Sequence, residues 1–292
     1  MCILAFAVNV HPEFPIVIID NRDEITKRPT KDAELEKETQ IICGRDMTAG
    51  GTWCGIHSKT GQFAVLTNVY EPTTKKNLTS RGKLVDLFIK GNSADSKNIL
   101  SNWTDFMGYN LLFGNVKEFL RPNNKEQPCL YFASNRTCTF PTQPVEPTLH
   151  KLHDGVHCVS NSFLNDESWP KVKYLREELE KALKDQNNAN LSAQEMCDQL
   201  SHLLTCRPLF PLDQIKQHII DQCNSEVSTS GEKVITSPSD EIMKIVQNVF
   251  VDYKNEIKTR SQTIMLVHKS GSTHYFYRNT DEICVDVPLL LL

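Results

Sequence analysis

Cys2 is the side chain with the clearest potential for chemistry. It begins an apolar, β-rich segment, Cys2–Val10, and a second such segment follows at Phe14–Asp20, after turn-forming residues centred on Pro12. Opposing residue numbers in an antiparallel hairpin have a constant sum. A turn centred on Pro12 therefore places Cys2 opposite Arg22, to within one residue of register.

The second strand is thus expected to present Asn21-Arg22-Asp23-Glu24, as a turn, at the edge where Cys2 begins the first strand. A guanidinium beside a thiol lowers the pKa of the thiol, and the thiolate is the reactive form. The same turn carries the carboxylates of Asp23 and Glu24, so the local charges can also cancel. The spacing therefore indicates a site around Cys2 but does not predict the net charge of that site.

An amino-terminal cysteine carries its own general base, because an α-amino group has a pKa of about 7.7–8.0. This chemistry requires the removal of Met1, which a small second residue usually permits. With Met1 retained, the amine is part of a peptide bond and the mechanism is lost. The alternative is that Cys2 is a small buried side chain at the start of a strand, and spacing alone leaves both interpretations open.

Composition indicates an ordinary globular protein. Of its 292 residues, 39% are apolar and 23% charged, and a net charge of −4 with a pI near 6.1 gives no bulk attraction to nucleic acid. No apolar run reaches the roughly 18–20 residues of a membrane span, and no basic region marks a secretory signal. We therefore expect a cytoplasmic protein that is not secreted, whose ten cysteines are mostly reduced and buried.

The order of elements predicts an α+β fold with mainly antiparallel sheet, in a single domain over residues 1–292. Neither of the first two strands alternates between apolar and polar residues, which indicates strands covered on both faces, as inside a layered sandwich. A variable loop is predicted over about 206–240. The predicted helices are 81–90 with Ser80 as its N-cap, 94–106, 170–184, a helix from a capping box of Ser192 and Glu195 to about Leu204, and 240–249.

A series of short motifs runs in a fixed order through almost the whole chain: Met1-Cys2, Asn21-Arg22-Asp23-Glu24, Gly50-Gly51-Thr52-Trp53, Thr67-Asn68, Ser80-Arg81-Gly82, Tyr109-Asn110, Ser160-Asn161 and Thr259-Arg260-Ser261-Gln262-Thr263. A tetrapeptide alone is a weak signal, whereas the ordered set is specific. The set resembles the NRDE-motif family, also called the transport and Golgi organisation protein 2 family.

The resemblance implies an N-terminal-nucleophile-hydrolase-like fold, a four-layer αββα sandwich. It also implies an intracellular protein of the cytosol, mitochondria or Golgi. Family members are associated with haem trafficking and with mitochondrial lipid and acyl-CoA homeostasis. No cofactor is expected to be required, and haem enters as possible cargo.

The fold is also similar to that of the cysteine amidases of the choloylglycine-hydrolase type, and this analogy implies a catalytic set. Cys2 would be the nucleophile, Arg22 would stabilise the thiolate, and Asp23 would orient the amine. By analogy alone, Asn161 would donate to the oxyanion and Arg260 would hold an anionic ligand group. The expected ligand-binding residues are Asn21, Arg22, Asp23, Glu24, Trp53, Asn68 and Arg81.

Other motifs favour plainer interpretations. His150, His153 and His157 with Cys158 flank a turn and would not all face one way, so no metal site is expected. Gly50-Gly51-Thr52-Trp53 is predicted to form a crowded turn with a packed Trp53, because it lacks the features of a phosphate loop.

Three functions follow as hypotheses. The first is a carrier that binds haem or an acyl-CoA-like metabolite in a cleft bordered by Cys2 and the Asn21–Glu24 turn. The second is an enzyme in which Cys2 cleaves an amide or thioester. The third is a scaffold in secretory-pathway organisation with a vestigial site.

The predicted helix start at Ser80-Arg81-Gly82 carries cations, which a solvated surface tolerates and which also fit an anion site at the helix N-terminus.

Overall fold

The computed structural model describes residues 2–69, 78–91, 100–121, 130–136, 146–147, 149–208, 210, 248–254, 256–280 and 285–290, the last segment as backbone. The strands are β1 (Ile3–Val8), β2 (Ile16–Ile25), β3 (Thr30–Glu36), β4 (Ile41–Asp46), β5 (Cys54–His57), β6 (Gln62–Asn68), β7 (Tyr109–Asn115), β8 (Leu130–Ser134), β9 (His150–Lys151), β10 (Gly155–Val159), β11 (Asp252–Tyr253), β12 (Ile257–Val267), β13 (Ser272–Asn279) and β14 (Val285–Leu290). The helices are α1 (Gly82–Lys90), α2 (Val116–Phe119), α3 (Pro170–Lys184) and α4 (Ala193–Thr205).

The strands form two sheets. The first sheet has the order β10-β1-β2-β12-β13-β14, with β11 paired to β12, and the second has the order β3-β4-β5-β6-β7-β8-β9. Every strand pair within these described sheets is antiparallel. Strand β2 lies in the middle of its sheet, between β1 and β12.

The two sheets pack face to face, and helices cover their outer faces. On β1, Leu4, Phe6 and Val8 face the second sheet, whereas the intervening Ile3, Ala5 and Ala7 face helices α3 and α4. Helix α1 packs on the outer face of the second sheet. Strand β1 is thus apolar on successive residues because both of its faces are covered. The expected α+β fold, a four-layer αββα sandwich, is confirmed.

The register of the first hairpin is the one that the sequence predicts. Ile3 pairs with Asn21 and Val8 with Ile16, so opposing numbers sum to 24 and the register places Arg22 opposite Cys2. The prediction of a turn at Asn21–Glu24 is wrong, because β2 continues to Ile25. Its far end stays in the sheet because β12 pairs with β2 along its whole length.

Most predicted helices form, with one correction at a helix start and one at a helix end. Helix α1 begins at Gly82 with Arg81, not Ser80, in the N-cap position, and its N-cap makes no side-chain hydrogen bond. Helix α3 ends at Lys184 as predicted, and the capping box of α4 is present. Residues 100–106 of the helix predicted over 94–106 are described; they hold a short 3₁₀ helix at Trp103–Asp105 and extended backbone at Phe106, so the prediction that the helix continues to Phe106 is wrong. The helix predicted over 240–249 and the loop over 206–240 lie mostly outside the described residues, and the single domain stays a prediction.

The described cysteines are free thiols. Five of these six side chains are buried and Cys206 is half-buried, as expected for reduced cysteines. Among the described helices, none is long and apolar enough to cross a membrane.

Candidate functional site

A cavity of about 240 Å³ lies at the end of the sandwich where β1 begins and β2 ends. Its wall also includes the segment between β4 and β5, the end of β6 and the start of α1. The lining residues are Cys2, Arg22, Asp23, Glu24, Arg28, Asp46, Gly51, Thr52, Trp53, Leu66, Asn68, Ser80, Arg81 and Gly82. Seven of the ten residues proposed from sequence are therefore together, and Asn21, Asn161 and Arg260 do not line the cavity.

Cys2 is held in the cavity wall by its backbone. The side chain of Ser160 donates a hydrogen bond to the Cys2 carbonyl oxygen at 2.7 Å, and Cys2 Sγ lies 4.0 Å from the carbonyl oxygen of Asp23. Cys2 is 8% exposed. Burial, reinforced by the negative charges of Asp20 and Asp23, raises the pKa of the Cys2 thiol to about 11. The thiol is therefore protonated at neutral pH.

The pKa of this thiol is raised although the strand register places Arg22 opposite Cys2, and the Arg22 guanidinium contacts other groups. It stacks on Trp53 with 4.1 Å between Cζ and the ring centre, donates to Thr30 Oγ1 at 3.1 Å, and lies 3.4 Å from Glu24 Oε2. Trp53 in turn lies directly over Gly44, where any Cβ would be 2.7 Å from Trp53 Cζ2. Because Gly44 has no side chain, the Trp53 ring can occupy this position, and Arg22 stacks on it there.

A second ion pair forms the rim of the cavity. Arg28 Nη2 lies 2.6 Å from Asp46 Oδ2, and Arg28 Nε lies 3.6 Å from Glu24 Oε2. Although burial opposes the effect, the hydrogen bonds from Arg28 hold the pKa of Asp46 below its usual value. The cavity wall is therefore densely charged, with arginines and carboxylates in contact.

The start of helix α1 reaches the cavity because two glycines touch. A Cβ on Gly51 would lie 2.6 Å from the carbonyl carbon of Gly82, so neither backbone could approach the other with a side chain between them. Thr52 N donates to Gly82 O at 3.3 Å. The crowded turn predicted for Gly50–Trp53 is confirmed, and it places a helix N-terminus, with its partial positive charge, in the cavity wall.

Asn161 lies behind the wall and not in it. Its Nδ2 donates to the carbonyl oxygen of Asn68 at 2.7 Å, and its Oδ1 lies 3.0 Å from Ser160 Oγ. Thr67 Oγ1 donates to the Ser160 carbonyl at 2.8 Å, and Asn110 Nδ2 donates to the Ser162 carbonyl at 2.7 Å. Three of the sequence motifs therefore form one buried network that fixes the segment to which Cys2 is attached.

Asn21 and Arg260 point away from the cavity. Asn21 Nδ2 donates to the carbonyl oxygens of Leu204 and Val249, both at 2.8 Å, on the helix side of the first sheet. Arg260 occupies a bulge between Thr259 and Ser261, and its Nη1 donates to backbone carbonyls of the segment after β2, including Thr26 O at 2.7 Å.

Asp23 combines a cavity position with a buried carboxylate. Thr259 Oγ1 donates to Asp23 Oδ1 at 2.6 Å. Burial raises the pKa of Asp23, and the positive charge of Lys171 opposes this rise.

Two buried charged residues near Cys2 were missed in the sequence. Asp20 follows the buried run of β2, and within the described part of the chain its Oδ2 has no hydrogen-bond partner. Lys171 lies one position before Val172, on a helix face where Leu175 and Leu179 are buried. A charged residue that interrupts each apolar pattern is the signal that could have found them.

The histidines near β10 do not form a cluster. His157 Nε2 lies 3.0 Å from the carbonyl oxygen of His153, and the His157 ring stacks on Phe6 with 5.1 Å between ring centres. No group of three or more potential metal ligands occurs among the residues that the structure describes.

Comparisons with known proteins give one family. The family model described as Transport and Golgi organisation 2 matches residues 1–282. The uncharacterised protein YGR127W of Saccharomyces cerevisiae is 28% identical over 205 residues, which are 62% of this chain and 61% of the yeast protein. The chain thus spans about three fifths of the length of that relative.

Among solved structures, a variant of the conjugated bile acid hydrolase of Clostridium perfringens aligns over 99% of this chain and 92% of its own, with a TM-score of 0.40 and 10% identity. The family model, in contrast, covers nearly the whole sequence, and all of the ordered motifs lie within the matched residues 1–282. The chain belongs to the Transport and Golgi organisation 2 family.

Proposed function

We propose that this protein is an intracellular carrier that binds the anionic group of an amphipathic metabolite, haem or an acyl-CoA, in the cavity beside Cys2. The observation that carries the proposal is the position of Arg81 and the start of α1 in one cavity wall, beside Arg22 and Arg28, which pair with Glu24 and Asp46. Arginine side chains and helix N-termini are the groups that bind carboxylates and phosphates in proteins. The carrier would serve haem trafficking and mitochondrial lipid homeostasis from the cytoplasm, the mitochondrion or the Golgi.

The cavity suits the charged end of such a ligand. Its volume is about 240 Å³, and Cys2, Trp53 and Leu66 are the apolar side chains in its lining. A propionate or phosphate fits this polar space, whereas a porphyrin ring or an acyl chain needs an apolar surface. Met47, which is 59% exposed and directly follows the lining residue Asp46, would contribute to that surface.

Arg81→Met tests the carrier. The Arg81 side chain makes no cap hydrogen bond to α1, so the helix start does not depend on it for capping. Loss of one charge-assisted hydrogen bond costs about 1.5–3 kcal/mol, so affinity should fall roughly 10- to 150-fold. The measurement is titration with haemin, coenzyme A and a long-chain acyl-CoA, by the haem absorbance shift or by calorimetry.

Arg176→Met is the matched control, because Arg176 pairs with Glu167, and neither residue lines the cavity. The control should bind as the wild type does. Saturable binding that Arg81→Met leaves unchanged would remove this cavity as the site. Binding that does not saturate with any of the three ligands would contradict the carrier itself.

Cys2 supports a second candidate, a hydrolase of amides or thioesters. Cys2 lies in the cavity wall opposite Arg22 and next to the Asp23 carbonyl. Because the thiol is buried and protonated, it needs a base, and the α-amine freed by removal of Met1 is the nearest one. The amine would take the thiol proton while Sγ attacks the substrate carbonyl. The leaving amine or thiol would then take that proton, and water would release the acyl group.

Mass spectrometry of the native protein decides whether this base exists. A chain that begins at Cys2, together with turnover of an amide or thioester that Cys2→Ala abolishes, would support the hydrolase. A chain that retains Met1 would exclude the free-amine mechanism, and the carrier would be unaffected by that result.

A further inference from the structure

Arg260 makes a set of contacts that its position outside the cavity leaves unexplained. It is the extra residue of the bulge in β12. Its Nη1 donates to the carbonyl oxygens of Ile25 at 3.2 Å, Thr26 at 2.7 Å and Arg28 at 3.2 Å. Hydrogen bonds from a charged donor are stronger than those between neutral groups. One nitrogen atom therefore holds three carbonyl groups of residues 25–28, which we call the rim segment.

The rim segment carries an arginine that forms the rim of the cavity. Arg28 Nη2 lies 2.6 Å from Asp46 Oδ2, Arg28 Nε lies 3.0 Å from Asp46 Oδ1, and both residues line the cavity. The rim segment leads from β2 in the first sheet towards β3 in the second, and Asp46 is the last residue of β4 in the second sheet. The position of the rim segment therefore determines whether Arg28 meets Asp46.

A chain of hydrogen bonds connects Arg260 to the cavity wall. The Arg28 carbonyl oxygen, which accepts from Arg260, also accepts from Thr30 Oγ1 at 3.3 Å. Thr30 Oγ1 in turn accepts from Arg22 Nη1 at 3.1 Å, and Arg22 lines the cavity, stacked on Trp53. Two arginines thus act on the same carbonyl group, one directly from outside the cavity and the other through Thr30.

We propose that Arg260 is a positioning residue of the cavity: by binding three carbonyl oxygens of the rim segment, it holds the Arg28 side chain where it pairs with Asp46. The bulge in β12 suits this role, because a bulge redirects a side chain out of the regular alternation of a strand. The proposal rests on the carrier for its effect on binding, since a rim that is already in place need not be ordered when the ligand binds.

A role confined to the stability of β12 makes a different prediction. If Arg260 only secured the bulge, Arg260→Met would lower the free energy of unfolding and leave the rim of the folded protein unchanged. If Arg260 holds the rim segment, the same variant loosens that segment in the folded protein. Arg260→Lys should restore the wild-type behaviour, because all three bonds come from one nitrogen and an ammonium group has three donors.

The test compares the full-length wild type, Arg260→Met, Arg260→Lys and the control Arg278→Met. Arg278 is an exposed arginine of the neighbouring strand β13 and does not line the cavity. The first measurement is hydrogen exchange at the Arg28 amide, which donates to the Ile25 carbonyl oxygen at 3.0 Å. The second is the rate at which iodoacetamide alkylates Cys2, read at the Cys2 peptide by mass spectrometry. The third is the affinity for coenzyme A and for haemin.

Arg260→Met should change all three measurements. Loss of a hydrogen bond from a charged group should increase the open population of the rim segment roughly 10-fold or more, and exchange at Arg28 by the same factor. Alkylation of Cys2, which lines the same cavity, should be faster by up to that factor. Affinity should fall roughly 2- to 10-fold, because the Arg28 side chain must now be ordered on binding.

Each outcome decides the proposal. These changes, restored by Arg260→Lys and absent in Arg278→Met, support it. Unchanged exchange at Arg28 overturns it, as does faster exchange with unchanged alkylation of Cys2, since the rim segment would then not shape the cavity. Equal effects of Arg260→Met and Arg278→Met also overturn it. If Arg260→Met does not fold, Arg260→Gln takes its place under the same criteria, and failure of both to fold overturns the proposal by making Arg260 a requirement of the fold.

Failure of the carrier is recognised separately, because exchange and alkylation need no ligand. Faster exchange and alkylation in Arg260→Met, without saturable binding of coenzyme A or haemin to the wild type, would reject the carrier and retain the role of Arg260. Saturable binding whose affinity Arg260→Met leaves unchanged would retain the carrier and reject the role of Arg260.

Discussion

The contact between Gly51 and Gly82 gives the sharpest prediction about how the cavity is built. Gly51→Ala places a methyl group 2.6 Å from the carbonyl carbon and 2.8 Å from the Cα atom of Gly82. Both obstructing atoms belong to the backbone, so no side chain can rotate to relieve the clash. The segment before β5 and the start of α1 must therefore move apart.

The size of the effect follows from that separation. Overpacking of a tight contact costs about 1–3 kcal/mol of unfolding free energy. One kcal/mol lowers the melting temperature by roughly 2–4 °C in a protein of this size class, so we expect a fall of roughly 2–12 °C. The same movement displaces Arg81 and the N-terminus of α1, and ligand affinity at the cavity should fall as well.

Gly50→Ala is the control for these measurements. Gly50 has a φ of +72° and nothing lies within 4 Å of its Cβ position, so alanine there costs backbone strain alone. That cost is roughly 1–2 kcal/mol, similar in size but without a clash. Thermal unfolding and hydrogen exchange of the α1 amides are measured on both variants.

Faster exchange at the start of α1 is expected in Gly51→Ala alone. A Gly51→Ala variant as stable as the wild type, with unchanged exchange in α1, would refute the steric argument. The glycines of this motif would then be required for chain flexibility or for contact with a ligand.

Two further predictions concern buried polar groups. Ser160→Ala removes the hydroxyl that donates to the Cys2 carbonyl oxygen, and the unfolding free energy measured by chemical denaturation should fall by about 1–3 kcal/mol. Ser58→Ala is the control: it removes a half-buried hydroxyl that donates to the Gln40 carbonyl oxygen, and the unfolding free energy should fall by about 0.5–1.5 kcal/mol. Equal losses of unfolding free energy in the two variants would contradict the role of the buried network around Ser160. Burial raises the pKa of Asp20 well above its usual value, so its ionisation destabilises the fold progressively as pH rises above about 3.9. Asp20→Asn should therefore raise the melting temperature at pH 7 and not at pH 3, and an equal gain at both values would show that ionisation is not the cause.

Turn, strand and capping patterns in the sequence predicted those elements for which the local sequence and the tertiary contacts favour the same structure. The turn chemistry around Pro12 gave the register of β1 and β2, and the unbroken apolar run of β1 gave a strand covered on both faces. The capping box of Ser192 and Glu195 began α4 where it was expected. At these positions, the propensity, the pattern and the final environment all favour the same structure.

The end of β2 shows where local rules fail. Asparagine and aspartate are rare in strands, so the sequence predicts a turn after Asp20. Tertiary contacts override that preference: Asn21 and Asp23 are satisfied by groups from α4 and β12, which are distant in the sequence. No pattern within twenty residues of the N-terminus carries that information.

The direction of the Arg260 side chain depends on the bulge in β12. Thr259 pairs with Asp23 and Ser261 with Arg22, which leaves Arg260 as the extra residue of the ladder. Its guanidinium therefore bonds the carbonyl oxygens after β2 and does not enter the cavity. An analogy that matches residues by type cannot detect a one-residue insertion in a strand pair.

The bulge and the strand period together explain why four consecutive polar residues can serve one site. Side chains alternate across a strand, so Arg22 and Glu24 face the cavity between the sheets, while Asn21 and the Asp23 carboxylate face the helices. The first pair shapes the charged wall, and the second attaches α4 and β12 to the sheet. Because Asp23 also offers its backbone carbonyl to Cys2, a change on the helix side of the sheet reaches the cavity without entering it.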